Sequence, residues 1–347
     1  MKRCLICRER NMSDYGICEA CKQMNKHYEA IHQNMSGYTA VVTGGRIKIG
    51  YATALRLLRD GARVMVITRY PYDALDRYSK EADYEQFKDR LIIYGFNLLC
   101  VNKLDELISF IKNTFPEGLD ILINNAAQTI KKAPSYYQEI EAREDKLRLQ
   151  CENHSDNNTL MPVYANSGRV DSMLLESTPQ PLDKQENPMY NSWVAMAEDI
   201  SVQEMLEVQL INVTAPFMLV GQLKSHMKNS PHRNSFIINV SSIEGRFNPK
   251  KKLSRHVHTN MAKASLNMMT HSLAMEYERD NIYIYSVDPG WVSNQFPTGY
   301  EASKDFKSYL TFEDAASRIC YPIYSKLTDE QIKDAGSLWK DYRIMEY

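Results

Sequence analysis

Six short apolar runs recur along the chain with helix-length stretches between most of them. They are YTAVVT (38–43), ARVMVIT (62–68), RLIIYGF (90–96), DILINN (120–125), SFIINVSS (235–242) and IYIYSVDPG (282–290). Runs this short and this continuously apolar suit strands covered on both faces. After the first run, Gly50, Ala54, Leu57 and Leu58 fall on one helical face, which suits packing on a sheet. Helices are predicted over 201–228 and 259–279, and a further one from Thr311. The stretch EVQLINVTAPFMLVGQL has apolar positions enough for a helix buried on more than one side. Strand–helix alternation predicts right-handed βαβ units, hence an α/β, doubly wound parallel sheet. The C-terminal GSLWKDYRIMEY is expected to complete an edge strand and to cover the site or a subunit contact.

The rhythm breaks at 129–200. From about Glu152 to Asn191 the chain is rich in Asn, Ser, Pro and Gln, and a long, partly flexible insertion is expected. Residues 1–35 have a texture of their own, cysteine-rich and then helix-like. The division is therefore a small module over 1–35 and one large domain over 36–347 that carries the insertion. A length of 347 residues, 44% hydrophobic and 24% charged, suits that arrangement. The net charge of −1 implies no strong field for nucleic acid or an acidic membrane. No run of about 18 apolar residues stands in the sequence, and MKRCLICRER lacks a signal-peptide core. A cytoplasmic protein with no membrane segment is expected.

Four of the seven cysteines lie within the first 21 residues. CLIC and CEAC are two C-x-x-C knuckles, Cys4/Cys7 and Cys18/Cys21. Each knuckle aims two thiolates at one point, and two knuckles supply tetrahedral zinc. The helix-like run after Cys21 places its dipole to favour thiolate. Two disulfides, or free thiols, are the alternatives. His27 and His32 could replace a ligand, but four thiolates already close the shell. Such a metal is structural and folds a segment too short for its own core. A protein partner for this module is one expectation. Lys2, Arg3, Arg8 and Arg10 leave nucleic acid open as another.

Between the first strand and its helix lies TGGRIKIG (43–50), a glycine-rich turn. Such a turn lets backbone N–H groups approach a pyrophosphate at a helix N-terminus. At this point the chain resembles the short-chain dehydrogenase/reductase family, whose fingerprint is T-G-x-x-x-G-x-G. Thr43, Gly44 and Gly50 are in register, and Lys48 occupies the middle glycine position. NNAA (124–127), with Asn125 and Ala126, resembles the family's N-N-A-G. Asn97 matches an adenine-contacting position. Asn212, Ser242 and Lys263 match three members of the catalytic tetrad, and Pro289–Gly290 match the turn beside the nicotinamide. The resemblance covers about residues 38–347 without the insertion. It implies a Rossmann-type fold, a nicotinamide cofactor, a small-molecule substrate and a homo-oligomer. At the second strand's end stands Thr68–Arg69 and no acid, and Arg46 and Lys48 add charge in the turn beside Ile49. NADP is therefore expected, with NAD the alternative.

The family's tyrosine, four residues before the lysine, is Thr259 here. A phenol has a reference pKa of about 10 and can be tuned toward neutrality. An aliphatic hydroxyl is a far weaker and shorter acid. No tyrosine occurs between Ser242 and Lys263. His256 and His258 are candidate substitutes, His258 being rotated about 100° from the Thr259 face. Tyr136, Tyr137 or Tyr164 from the insertion could also reach in. Two readings stay open: an atypical NADP-dependent oxidoreductase, or a nucleotide-binding sensor that reports through the zinc module. Retention of Asn212, Ser242 and Lys263 favours the first. The basic PKKKLSR (249–255) lies where a substrate loop is expected; a solvated loop is the simpler reading.

Overall fold

The structure, a computed structural model, describes residues 2–9, 11–12, 16–132, 134–153, 163–164, 189–247, 252–297, 309–329 and 334–347. Arg10, most of the Glu152–Asn191 stretch and the first part of PKKKLSR lie outside the described residues.

Strands β3 (Thr39–Thr43), β4 (Arg63–Thr68), β5 (Leu91–Gly95), β6 (Ile121–Asn124), β7 (Val163–Tyr164), β8 (Ser235–Val240), β9 (Ile282–Asp288), β10 (Leu338–Lys340) and β11 (Arg343–Met345) form one sheet. Its order is β11-β10-β9-β8-β6-β3-β4-β5-β7. Every neighbouring pair is parallel except β10–β11, the antiparallel turn-back at one edge. The predicted C-terminal edge strand is thus present, as a pair. Beside this sheet, β1 (Lys2–Arg3) and β2 (Asn11–Met12) make a separate antiparallel ribbon.

Period-two alternation divides the core. Ala40, Val42, Val64 and Val66 face one layer, and Val41, Met65 and Ile67 face the other. The first layer holds α2 (Lys48–Arg59), α3 (Pro71–Tyr78) and α8 (Phe312–Thr328). The second holds α4 (Leu104–Thr114), α6 (Val202–Lys228) and α7 (Val257–Glu278). Thr311 starts α8 with a capping box, accepting from the Asp314 amide at 3.0 Å while Asp314 accepts from Thr311 N. Among the described residues α6 is long and apolar enough to cross a membrane by length and composition. Here it is a layer helix, burying Val208, Ile211, Leu219, Val220 and Leu223. Its ladder widens to a π turn at Leu210–Thr214, which carries Asn212.

The N-terminal module leans on the large domain. Helix α1 (Glu19–Glu29) packs on α8. The Asn25 amide oxygen accepts from Arg318 at 2.7 Å, and Tyr28 stacks on Tyr342 with centroids 3.9 Å apart. Cys4, Ile17, Cys18 and Cys21 share a small core with Val292, Leu310 and Ala315. The first helix of the insertion, α5 (Pro134–Asn153), is also docked. Its Glu144 carboxylate accepts from the Tyr72 and Asp73 amides, both at 2.8 Å, at the N-terminus of α3. An anion there meets unpaired donors and the positive end of a helix dipole.

Candidate functional site

Thr43 ends β3 and gathers the turn around itself. Its hydroxyl accepts from the Asn125 and Ala126 amides at 3.0 and 3.1 Å and donates to Ile123 O at 3.3 Å. The Asn125 amide group donates to the carbonyls of Thr43 and Gly44 at 3.0 and 3.3 Å. Gly50 lies directly beneath: a Cβ there would stand 2.3 Å from Asn125 Nδ2 and 2.4 Å from Gly44 O. Only glycine lets helix and turn meet this closely. Lys48, by contrast, takes a φ of +56° at the first residue of α2. The family's glycine position thus keeps a glycine's backbone under a lysine side chain, a strained arrangement.

Next to this turn lies a lobe of about 440 Å³, lined by Gly44, Arg46, Lys48, Ile49, Gly50, Arg69, Asn97, Asn125 and Ala126 among others. Three cations there have no carboxylate partner among the described residues: Lys48, Arg69 and Lys132. The guanidinium of Arg69 lies between two rings, 5.4 Å from the centroid of Tyr70 and 5.5 Å from that of Tyr137. Arg46 is engaged, donating to the buried Asp73 carboxylate at 2.5 Å. Crowding by surrounding protein, then the Lys132 and Arg46 charges, lower the pKa of Lys48, although its side chain is exposed. Asn97 turns its side-chain oxygen to Leu99 N at 3.1 Å.

A second lobe of about 920 Å³ adjoins the first, and Ile49, Asn125, Ala127 and Thr129 line both. Ser242, Thr259, Lys263, Pro289 and Gly290 line it. Lys263 is buried and donates from Nζ to the Val240 carbonyl at 2.7 Å. Burial pulls its pKa down to about 8 against the opposing pull of Glu244 and Asp288. Gly245 lets the turn after Ser242 touch α7, since a Cβ there would stand 2.7 Å from the Lys263 carbonyl. Thr259 is buried, and its Oγ1 has no hydrogen-bond partner among the described residues. Asn212 is buried beside the lobes and clamps the Gln128 backbone, accepting from its N at 2.7 Å and donating to its O at 3.0 Å.

His258, the candidate substitute acid, faces away from Thr259. It does not line the lobe; it lies buried with Nε2 3.6 Å from the Glu204 carboxylate. The 100° offset from Thr259 on the helix turns it into the packing against α6. Burial alone would raise the Glu204 pKa, but the neighbouring His258, Ser192 and Lys131 together hold it low. His256 stacks on Trp193 with centroids 4.2 Å apart, and burial lowers its pKa to about 4. Tyr136 and Tyr137 reach the first lobe, not the second, and the side chain of Tyr164 is not among those described.

The thiols of Cys4, Cys7, Cys18 and Cys21 lie within 4.8 Å of one another, and no disulfide joins them. The Cys18 amide donates to Cys4 Sγ at 3.3 Å.

Residues 38–147 match the short chain dehydrogenase family, and residues 191–322 match the family described as enoyl-(acyl carrier protein) reductase. The chain belongs to the short-chain dehydrogenase/reductase family. An uncharacterised protein of Acanthamoeba polyphaga mimivirus is 34% identical over 99% of this chain and 74% of its own length. The human mitochondrial dehydrogenase/reductase SDR family member 2 is 25% identical over 87% of this chain and 86% of its own. Two solved structures share the short-chain dehydrogenase/reductase fold at 17% identity. One is a short chain dehydrogenase from Burkholderia cenocepacia in complex with NADP, with TM-score 0.57, covering 84% of this chain and 92% of that one. The other is an NADPH-bound carbonyl reductase from chicken fatty liver, with TM-score 0.56, covering 91% and 100%.

Tyr137, named from the sequence only as a tyrosine that could reach in, proves to contact Arg69, at no fixed spacing from it. Other residues at the site left no signal in the sequence. Lys340 comes from β10 and donates to Asp288 at 2.6 Å on the wall of the second lobe. Leu5 and Ile6 sit between Cys4 and Cys7, yet they line the same lobe as Ser242.

Proposed function

We propose that this chain is an NADP(H)-dependent oxidoreductase that interconverts a carbonyl and an alcohol, with Thr259 standing where the usual proton donor would be. One observation carries this reading. A lobe edged by a glycine turn and by cations with no carboxylate partner among the described residues opens beside a lobe walled by Ser242, Thr259 and Lys263. The donor set suits the cofactor. Gly44 and Gly50 hold the turn close against α2, at whose N-terminus a pyrophosphate would sit, and Lys48 adds charge there. Arg69 would take the 2′-phosphate and Asn97 the adenine. Lys263 would hold the nicotinamide ribose, beside Pro289–Gly290. When bound, the cofactor supplies the hydride. The chain's own contribution is electrostatic and positional. Ser242 donates a hydrogen bond to the substrate oxygen. Lys263 presents a poised ammonium beside it. Thr259 is too weak an acid to protonate that oxygen by itself, and with His258 turned away the proton comes from water or the substrate. The test is titration with NADPH and NADH by nicotinamide fluorescence, followed by absorbance assays on a panel of aldehydes and ketones. Tight NADPH binding and a turnover abolished in Ser242→Ala would support the reading; no binding of either nucleotide would end it.

The absence of the phenol favours a second reading, a nucleotide-binding protein without turnover. NADPH binding with no turnover on any carbonyl would select it.

We also infer structural zinc at Cys4, Cys7, Cys18 and Cys21. Cys7 Sγ and Cys18 Sγ are 3.9 Å apart, close to the edge of about 3.8 Å that Zn–S bonds of about 2.3 Å give a tetrahedron. A homo-oligomer through α6 and α7 fits the outer faces of those helices. Met261, Met268 and Met275 are exposed at seven-residue spacing on α7, and Phe217 is exposed on α6.

A further inference from the structure

We propose that the N-terminal cysteine module is one wall of the substrate pocket, and that it selects substrates with an apolar body; this rests on the oxidoreductase reading above. The module's knuckles do not face solvent alone. Leu5 and Ile6 lie between Cys4 and Cys7, and Ala20 lies between Cys18 and Cys21; all three line the lobe that Ser242, Thr259 and Lys263 line from the other side. Met24 from α1 adds to the same wall. The metal-type geometry therefore sets the wall's position. Residues held between two ligands of one ion move with that ion.

The backbone of the first knuckle is closed by Arg8 N donating to Cys4 O at 3.1 Å and by Leu5 N donating to Gly16 O at 3.0 Å. From behind, the module is fixed by the apolar cluster of Ile17, Cys18 and Cys21 with Val292 and Leu310. Val292 and Leu310 line the lobe as well, so the module packs directly on the pocket's far edge. Trp193 and Trp291 complete an apolar surround for whatever enters beside Ser242. A lobe of about 920 Å³ is larger than a small polar carbonyl needs. The module's side is mostly apolar, its charged members being the exposed Arg8 and Glu9, and the opposite side carries Ser242 and Lys263. The chemical class that fits is a carbonyl or alcohol at one end of a long aliphatic or ring body.

The test uses the full, zinc-loaded chain and straight-chain primary alkanols from butanol to dodecanol, with binding read by Trp193 and Trp291 fluorescence. Wild-type affinity is expected to rise roughly fourfold per added methylene over the middle of the series, as full burial of each CH₂ requires. The double variant Leu5→Ser, Ile6→Ser keeps all four thiols and should cut that gain to below about twofold per methylene, with NADPH affinity unchanged within about twofold. Met24→Ser, on a separate element, should give a smaller loss of the same kind and serves where the double variant does not fold. Chelation should likewise flatten the series; should it unfold the protein, the serine variants decide alone. A wild-type series without chain-length dependence, or an unaltered slope in the folded serine variants, overturns the proposal. Alkanol binding needs neither cofactor nor turnover, so a failure of the oxidoreductase reading would show separately, as absent NADPH binding.

Discussion

Lys263 of α7 is pinned to the end of β8, its ammonium donating to the Val240 carbonyl at 2.7 Å inside the protein. The buried charge opposes folding. Its pKa falls from 10.5 to about 8, mainly through burial. Between those values the unfolded chain holds a proton that the folded chain has released, so this group makes stability rise with pH across that window. Below pH 8 the penalty is present in full. Lys263→Met, of similar volume, should therefore be more stable than wild type at pH 7, by about 1–2 kcal/mol after the lost hydrogen bond is counted. Its advantage should shrink as the pH approaches 10. Denaturant melts at pH 7 and 9.5 measure this, and the same variant should bind NADPH more weakly.

A related trade-off sits at Lys48, where a side chain rides on a φ of +56°. Lys48→Gly removes a conformational cost of about 1 kcal/mol and should raise the melting temperature by a few degrees. It also removes a cation from the nucleotide lobe. NADPH affinity should drop roughly tenfold, and its salt dependence should weaken. Higher stability together with tighter binding would show that Lys48 obstructs the pyrophosphate.

Arg69 is held between Tyr70 and Tyr137 with its N–H groups free of any carboxylate among the described residues. Arg69→Ala should lower NADPH affinity by about 10- to 100-fold, in the range of a lost charge-assisted pair. NADH affinity should hardly change. Tyr137→Ala should give a smaller loss in the same direction. Parallel titrations with both nucleotides check the pair.

Six strands of the sheet were legible because each is largely buried on both faces and must read as a nearly continuous apolar run, from Val41–Val42 to Ile284–Tyr285. The glycine turn was legible because Gly50 has no room for a Cβ. Motif residues such as Ser242 and Lys263 were picked out through the resemblance alone, and both line the second lobe. What stayed hidden joins segments remote in the chain. No spacing rule links Glu144 to the α3 amides, Tyr137 to Arg69, or Leu5 to Ser242, because tertiary docking alone creates those neighbours. His258, one position from Thr259 in sequence, lies on another face of the helix, as its offset of about 100° implies, with Nε2 3.6 Å from Glu204.

Met268 and Phe217 expose 60% and 56% of their surfaces on neighbouring layer helices. If these faces pair two copies, Met268→Glu with Phe217→Glu places four unpaired carboxylates in the contact of a symmetric dimer. Dissociation to monomers in sedimentation velocity is expected, with the fold retained in circular dichroism. An unchanged sedimentation coefficient would place the contact elsewhere.

Thr259 is the position at which the two functional readings separate. Its Oγ1 is buried without a partner among the described residues, so Thr259→Val, nearly identical in shape, should be neutral to about 1 kcal/mol stabilising. If water or substrate supplies the proton, this variant should retain most of the turnover. Thr259→Tyr places a phenol four residues before Lys263, on the wall of a lobe with room for it. The ammonium of Lys263 then lowers the phenol pKa, and a positioned acid contributes about 10²–10⁴-fold. Carbonyl reduction should rise at least tenfold, with an optimum set by the new phenol's titration. A folded, NADPH-binding tyrosine variant still without turnover would show that the substrate oxygen never reaches this wall, and the nucleotide-binding reading would then stand.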